Sequence, residues 1–195
     1  SIEDGATGIV IRTESGSADS APVLERVVVA RGSHHGIFIY ENGASPVVIY
    51  RCTLVDNFDM GIYVSGGNAE ISNSAITNNG KNGVHAYLAT PSITYCNVFW
   101  NDQVFPNQGT GPQNYSGTLD DLTGIDGNIS VEAYYCDFVG TAGYDYHVCL
   151  SEPVSPHHEG GEGGVTIGAL DAVCTGCQSP VELSSWGAIK ALYRR

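Results

Sequence analysis

The chain has 195 residues, 42% of them hydrophobic, with 8 Lys and Arg against 21 Asp and Glu and a formal net charge of −13. That length suits one domain with a continuous core, and so acidic a chain argues against nucleic acid and anionic membranes, which need basic patches. No run of about 18 apolar residues exists to span a bilayer as a helix, and no signal-peptide pattern is present, so a chain opening at Ser1 reads as a mature or processed product.

The first element follows Gly5-Ala6-Thr7-Gly8 with no evident N-terminal cap. Gly8-Ile9-Val10-Ile11, Gly36-Ile37-Phe38-Ile39, Gly61-Ile62-Tyr63-Val64 and Gly83-Val84-His85-Ala86 repeat one pattern, their glycines 28, 25 and 22 residues apart. A stricter register of 22 links Asn57, Asn79 and Asn101, then Ile49, Ile71 and Ile93, then Cys52, Ser74 and Cys96, then Leu54, Ile76 and Val98. A fixed period between about 20 and 50 residues marks a solenoid or array. Within each repeat the apolar residues alternate, which buries one face of a strand and wets the other. The runs are β-branched and aromatic, and stop at Asn42-Gly43, Gly66-Gly67-Asn68 and Asn78-Asn79-Gly80, residues that accept tight turns.

These features predict an all-β parallel β-helix. Its coils stack at the strand spacing of about 4.8 Å, so residues one period apart sit above one another. Asn57, Asn79 and Asn101 should then form an amide ladder at one corner. Cys52 and Cys96, two coils or about 9.6 Å apart, lie beyond disulfide reach and read as buried free thiols. Arg26 and Arg51 share a phase and are expected to stack on a wall with Glu25 and neighbouring acids.

Regular coils are expected over 1–103, and irregular final coils, a cap and a tail over 104–195, within one structural domain. The phase is lost in Pro106-Asn107-Gln108-Gly109-Thr110-Gly111-Pro112. Beyond it, Tyr134-Tyr135-Cys136, Tyr144 to Cys149 and Val165 to Leu170 read as short strands, and His157 to Gly164 as a loop. From Ser184 the tail places Trp186, Ile189, Leu192 and Tyr193 on one helical face behind a serine cap, an amphipathic segment suited to assembly.

These residues resemble exported bacterial right-handed parallel β-helix repeat proteins, a pectate-lyase-like superfold. The Gly-apolar-x-apolar and Asn coils carry the resemblance, with the end-of-helix stretch Thr123 to Ser130 and a tail of Gly168-Ala169, Trp186-Gly187-Ala188-Ile189-Lys190 and Tyr193-Arg194. It spans nearly the whole chain and implies fold rather than chemistry. One departure is Val131 to Cys136, where such proteins usually carry Asp-Pro before an aromatic.

Four cysteines in the irregular end, Cys136, Cys149, Cys174 and Cys177, allow three disulfide connectivities. Cys136–Cys149, flanking a hairpin, with Cys174–Cys177 is favoured, and a zinc site built on the Cys-x-x-Cys is the alternative. Asp120, Asp121, Asp126 and Asn128 form an oxygen-rich loop suited to calcium, with no match to an EF-hand spacing; no other cofactor is expected. The adjacent histidines His34-His35 and His157-His158 read as exposed loop residues. Tyr63 and Tyr87 follow the glycine ladder and offer either sugar-stacking rings or cross-coil packing. Asp120-Asp121 lies outside the regular coils, and although Asp56 with Asp59 or Asp102 could supply the paired acids a hydrolase needs, each sits at a turn, where Asp is normally structural.

Two functions follow. One is a non-catalytic structural or surface solenoid, extracellular or at the cell surface, that self-associates head to tail into a homopolymer, because an open solenoid end needs cover. The other is a β-helix that binds or acts on surface polysaccharide, or a fragment of one.

Overall fold

The computed structural model describes residues 2–3, 7–12, 22–40, 45–101, 113–137, 145–150 and 155–173. Strand β1 (Ile2–Glu3) precedes a coil of β2 (Ile9–Arg12), β3 (Val23–Glu25) and β4 (Val28–Ala30). The next coil is β5 (Ile37–Tyr40), β6 (Val47–Tyr50) and β7 (Thr53–Val55). Then come β8 (Ile62–Ser65), β9 (Ala69–Ser72) and β10 (Ala75–Thr77), followed by β11 (Val84–Tyr87), β12 (Ser92–Thr94) and β13 (Asn97–Phe99). Strand β14 (Tyr115–Gly117) starts a last winding, and β15 (Tyr135–Asp137) pairs antiparallel with β16 (Asp145–Val148).

Successive coils stack in parallel, which makes a β-helix of three sheets. Sheet I holds β2, β5, β8, β11 and β14; sheet II holds β3, β6, β9 and β12; sheet III holds β1, β4, β7, β10 and β13. The sequence periods become registers: Ile49 pairs with Ile71 and Ile71 with Ile93, while Leu54 pairs with Ile76 and Ile76 with Val98. Ile37, Ile39, Ile49, Leu54, Ile62, Ile71, Ile76 and Val98 close one continuous core inside the coil. Branched side chains stacked at strand spacing bury apolar area in every direction except along the axis, and the next coil covers that.

The corner after sheet III is held by the asparagines. Asn79 Oδ1 accepts from the backbone N–H of Asn57 (3.2 Å) and from its amide Nδ2 (3.0 Å). Asn101 Oδ1 does the same for Asn79, at 3.0 and 2.9 Å. Each amide also donates to a carbonyl of the preceding coil, Asn57 to Val29, Asn79 to Leu54 and Asn101 to Ile76. The run extends beyond the strict period. Gly32 N–H donates to Asn57 Oδ1, Asn101 donates to Asn114 Oδ1, and Asn114 donates to Ser130 Oγ.

The same corner explains the glycine ladder. A Cβ on Gly36 would stand 2.9 Å from Asn57 Nδ2, one on Gly61 2.8 Å from Asn79 Nδ2, and one on Gly83 2.7 Å from Asn101 Nδ2. Gly36, Gly61 and Gly83 open β5, β8 and β11 because an asparagine amide, together with a backbone carbonyl of the following coil, occupies the space a side chain would need.

Single left-handed residues turn one further corner, between sheets II and III, and also open the asparagine corner itself. Arg26, Arg51, Asn73, Tyr95 and Asp126 lie at the former, and Arg31, Asp56, Asn78 and Trp100 at the latter, all with φ between 48° and 58°. Asn and Asp take this backbone readily; for Arg, Tyr and Trp it costs roughly 1–2 kcal/mol. The stacked backbone enforces it, for example through Arg51 N–H to Ser72 O (3.1 Å) and Asn78 N–H to Phe99 O (3.1 Å).

The irregular end departs from the expected single cap by doing two separate things. Residues 113–129 close the last coil: Leu119 and Leu122 pack on the core, and Ile129 bridges Asn97 in parallel. The described residues from 131 to 173 then turn back along the side of the coil stack. Tyr135 meets Thr77, Gly168 N–H donates to Asn73 O, Ala169 N–H donates to Thr53 Oγ1, and Asp171 reaches Arg26 and Arg51. This lateral brace buries the outer face of sheet III, where Val28, Ala30, Val55, Ala133, Tyr135, Tyr146, Val148 and Ala169 form a second core. Arg26 and Arg51 therefore clasp one distant carboxylate rather than a wall of neighbouring acids. Their hydrogen bonds hold Asp171 below the usual carboxylate range. Trp186, Ile189, Leu192 and Tyr193 lie outside the described residues.

Replacing Asn79 by Ala should cost about 2–4 kcal/mol in urea unfolding, since it strips buried donors of partners and leaves a void. Gly61→Ala should cost about 1–3 kcal/mol by overpacking the same corner.

Candidate functional site

Side chains alternate across a strand, so the third residue of each Gly-apolar-x-apolar unit points out of sheet I. Register stacks these into one column, Val10, Phe38, Tyr63, His85 and Ser116. Two residues on, the same face carries Arg12, Tyr40, Ser65 and Tyr87. Sheet III is sealed by the brace, whereas this outer face remains half-buried to exposed.

Aromatic packing organises the first column. Phe38 and Tyr63 stack with centroids 5.0 Å apart and planes 17° apart. His35, from the corner ahead of β5, meets the Tyr63 ring edge-on at 5.3 Å, and His85 does so at 5.1 Å. At the foot of the column, His85 Nδ1 and Ser116 Oγ share a 2.8 Å hydrogen bond. In the second column the Arg12 guanidinium lies 5.6 Å from the Tyr40 ring centre, a cation–π arrangement.

A short polar chain borders the wall. Asp59 and Lys81 occupy equivalent corners on successive coils, and their side chains pair at 2.9 Å. Asp59 also sits 3.5 Å from His35 Nδ1. Burial lowers the pKa of His35, and the Asp59 charge only partly opposes it; burial lowers His85 in the same way. Both imidazoles are therefore neutral at pH 7, each offering one donor and one acceptor. The chemistry present is flat apolar rings beside neutral hydrogen-bonding groups, with the carboxylate engaged by lysine.

The two tyrosines singled out by sequence stand in different columns. Tyr63 packs against Phe38, His35 and His85, so its ring is used within the wall. Tyr87 is 54% exposed and presents its ring outward. Sequence reading took His35 as an exposed loop residue and did not join Phe38, His35, His85, Asp59 and Lys81 into one wall, although the outward phase of the glycine repeat already carried an aromatic or imidazole ring at three successive coils.

The proposed calcium set does not converge. Asn128 is buried, with Oδ1 accepting from Cys96 N–H (2.9 Å) and Nδ2 donating to Ile93 O (2.8 Å), so it continues the Cys52, Ser74, Cys96 corner. Asp120, Asp121 and Asp126 are exposed, and Asp121 caps the Thr123 N–H at 3.0 Å. Among the described residues no three His, Cys, Asp or Glu side chains are grouped to hold a metal ion.

The histidine pairs also divide. His34 is exposed and His35 half-buried, whereas His157 is fully buried against Asn97 rather than in an open loop. Cys52 and Cys96 are free and buried, and burial raises their thiols to about 11 and about 12, which keeps them protonated and inert. Cys136 and Cys149 lie on and beside the antiparallel pair β15–β16, while Cys174 and Cys177 lie outside the described residues.

Comparison with known proteins returned one match. The family model "Right handed beta helix region" fits residues 7–104, about half of the chain and all of its regular coils. No curated protein and no solved structure matches.

His35 and His85 should titrate below the usual imidazole value of about 6.5, read from their ring-proton NMR shifts. Because both folded values are lowered, any stability the two groups contribute is complete above that value and declines as pH falls below it. Asp59→Asn should depress both midpoints further, since Asp59 is the charge that opposes burial at each ring. Unchanged midpoints would remove Asp59 from the wall.

Proposed function

The chain belongs to the right-handed β-helix family, and from that premise we propose that it is a non-catalytic extracellular β-solenoid whose sheet I binds hydroxyl-rich carbohydrate. The observation that carries this reading is the Phe38–Tyr63 stack flanked by His35 and His85, with Tyr87 open beside it. Sugar rings present apolar C–H faces and equatorial hydroxyls, which match an aromatic surface edged by neutral donors and acceptors. A surface of stacked strands is rigid, so little conformational entropy is lost on binding.

The non-catalytic part is supported by the state of the wall's carboxylate. Asp59 is ion-paired to Lys81 and lies beside His35, whereas a glycosidase needs two carboxyl groups flanking the bond to be cleaved. An extracellular setting is supported by the charge of −13, which favours solubility. It also agrees with a proposed pair of disulfides among Cys136, Cys149, Cys174 and Cys177.

End-to-end self-assembly is a second reading, favoured by a different observation. The inward residues of the first coil, Ile9, Ile11, Leu24 and Val27, are only partly buried, while their equivalents in later coils are buried. Another copy's surface would complete that cover. A single monodisperse species at high concentration, by light scattering and electron microscopy, would set this reading aside.

Affinity electrophoresis and calorimetry against a panel of neutral and acidic polysaccharides test the binding proposal. Tyr87→Ala and His85→Ala should each weaken binding about tenfold, with thermal stability retained. Absence of binding across the panel overturns the reading, and ultraviolet-absorbing unsaturated products would replace it with a lyase. Thiol titration of the unreduced, denatured chain should count the two core thiols, Cys52 and Cys96; six would refute the disulfides.

A further inference from the structure

The brace meets the solenoid through a buried histidine whose bonding tolerates only one protonation state. His157 Nε2 contacts Asn97 Nδ2. The orientation of that amide is set independently: Asn97 Oδ1 accepts from Val131 N–H (3.1 Å), and Asn97 Nδ2 donates to Val131 O (2.7 Å). The group facing His157 is thus a donor, and Nε2 accepts. The imidazole proton then sits on Nδ1, which is buried with no hydrogen-bond partner among the described residues. Protonation would place two donors head to head at Nε2 and bury a cation.

Among the described residues, no other group around His157 compensates. Tyr135 meets its ring edge-on at 6.0 Å, and Ile167 N–H donates to its backbone carbonyl. On the brace itself, His158 is 3.9 Å from Glu159, and the Glu162 backbone is tied to Asn73. On the solenoid, Asp56 and Arg31 interact electrostatically with one another, and Asp56 reaches this region through Tyr135. At the far end of the brace, Asp171 must be ionised to hold Arg26 and Arg51. Acid weakens both attachments.

We propose that the described residues from 131 to 173 form an acid-releasable brace: protonation of His157 detaches it from sheet III and uncovers that sheet's apolar outer face. Val28, Ala30 and Val55 would then meet water, while the asparagine ladder, which contains no titratable side chain, keeps the coils stacked. Burial lowers His157 to about 3. A folded value below the unfolded one means that its contribution is complete above about 6.5 and is lost as pH falls. Asp56 works in the opposite sense. Burial raises it to about 7, so acid leaves it neutral and at ease, and a comparison with a His157 variant is needed to isolate the imidazole.

Hydrogen exchange, corrected for the intrinsic pH dependence of the chemistry, tests this between about pH 7 and about pH 4.5. The brace amides of Gly160, Ile167 and Gly168 should lose protection about a hundredfold, while those of Asn57 and Asn79 keep theirs. His157→Gln, which accepts the same hydrogen bond and cannot charge, should retain brace protection at the lower pH. Equal protection at both pH values, joint loss in brace and ladder, or the same loss in His157→Gln overturns the proposal. A measurement on the unaltered chain stands beside these. An apolar dye should bind at the lower pH with the far-ultraviolet spectrum unchanged, and failure to bind refutes release.

Discussion

The side-chain amides of Asn57, Asn79 and Asn101 do for this chain what a hydrophobic core does for a globular domain: they make one coil depend on the next. A turn of a solenoid has almost no long-range contact except with its neighbours, so register must be set at every rung. A buried amide with two donors and one acceptor can bond only one coil up and one coil down. A slip of one residue would strand those groups in an apolar corner, at a cost of about 1–3 kcal/mol each. The ladder constrains the glycines as well, because the amides of Asn57, Asn79 and Asn101 fill the space beside Gly36, Gly61 and Gly83, which open the sheet I strands one winding earlier. Asn114, Ser130 and Gly32 continue it where the 22-residue period has failed, so the bonding geometry outlasts the sequence period.

The three faces of the coil have different fates for reasons of side-chain chemistry. Sheet III carries small and apolar residues outward, such as Val28, Ala30, Val55 and Ala75, and the brace covers them. Besides that apolar contact, its polar attachments among the described residues are Thr53, Asn73, Thr77, Asn97 and the Arg26–Arg51–Asp171 clasp. That combination gives a cover that is specific in register and modest in strength. Sheet I carries rings outward and stays open. Aromatic stacking along the column makes it rigid, and the neutral imidazoles keep it a hydrogen-bonding rather than a charged surface. An acidic protein thus presents one face on which charge is locally balanced, by Arg12 and by the Lys81–Asp59 pair.

The proposed binding and the proposed release are separable on this scaffold. The sheet I wall and the His157 contact lie on different sheets and share no residue. The first depends on imidazoles held neutral by burial beside an ion pair, the second on an imidazole held neutral by a fixed donor. In that proposal acid acts on the second without disturbing the ladder that positions the first.

By itself the sequence determined the coil. Its periods of 22 to 28 residues, the alternation within strands, the asparagine phase and the glycine phase all report contacts between residues one winding apart, and such contacts repeat with the chain. The burial of Cys52 and Cys96 was legible for the same reason. Tertiary structure alone decided where the irregular end goes, since the approach of Asp171 to Arg26 and of Ala169 to Thr53 spans more than a hundred residues with no period to announce it. The three-residue strands of sheet III, apolar on both faces, held an unread hint that something covers them. Only folding could place Asn128 in a core corner rather than beside the carboxylates, and His157 in a dry contact rather than a loop, because a polar side chain's role is set by which partners the fold brings within hydrogen-bond reach.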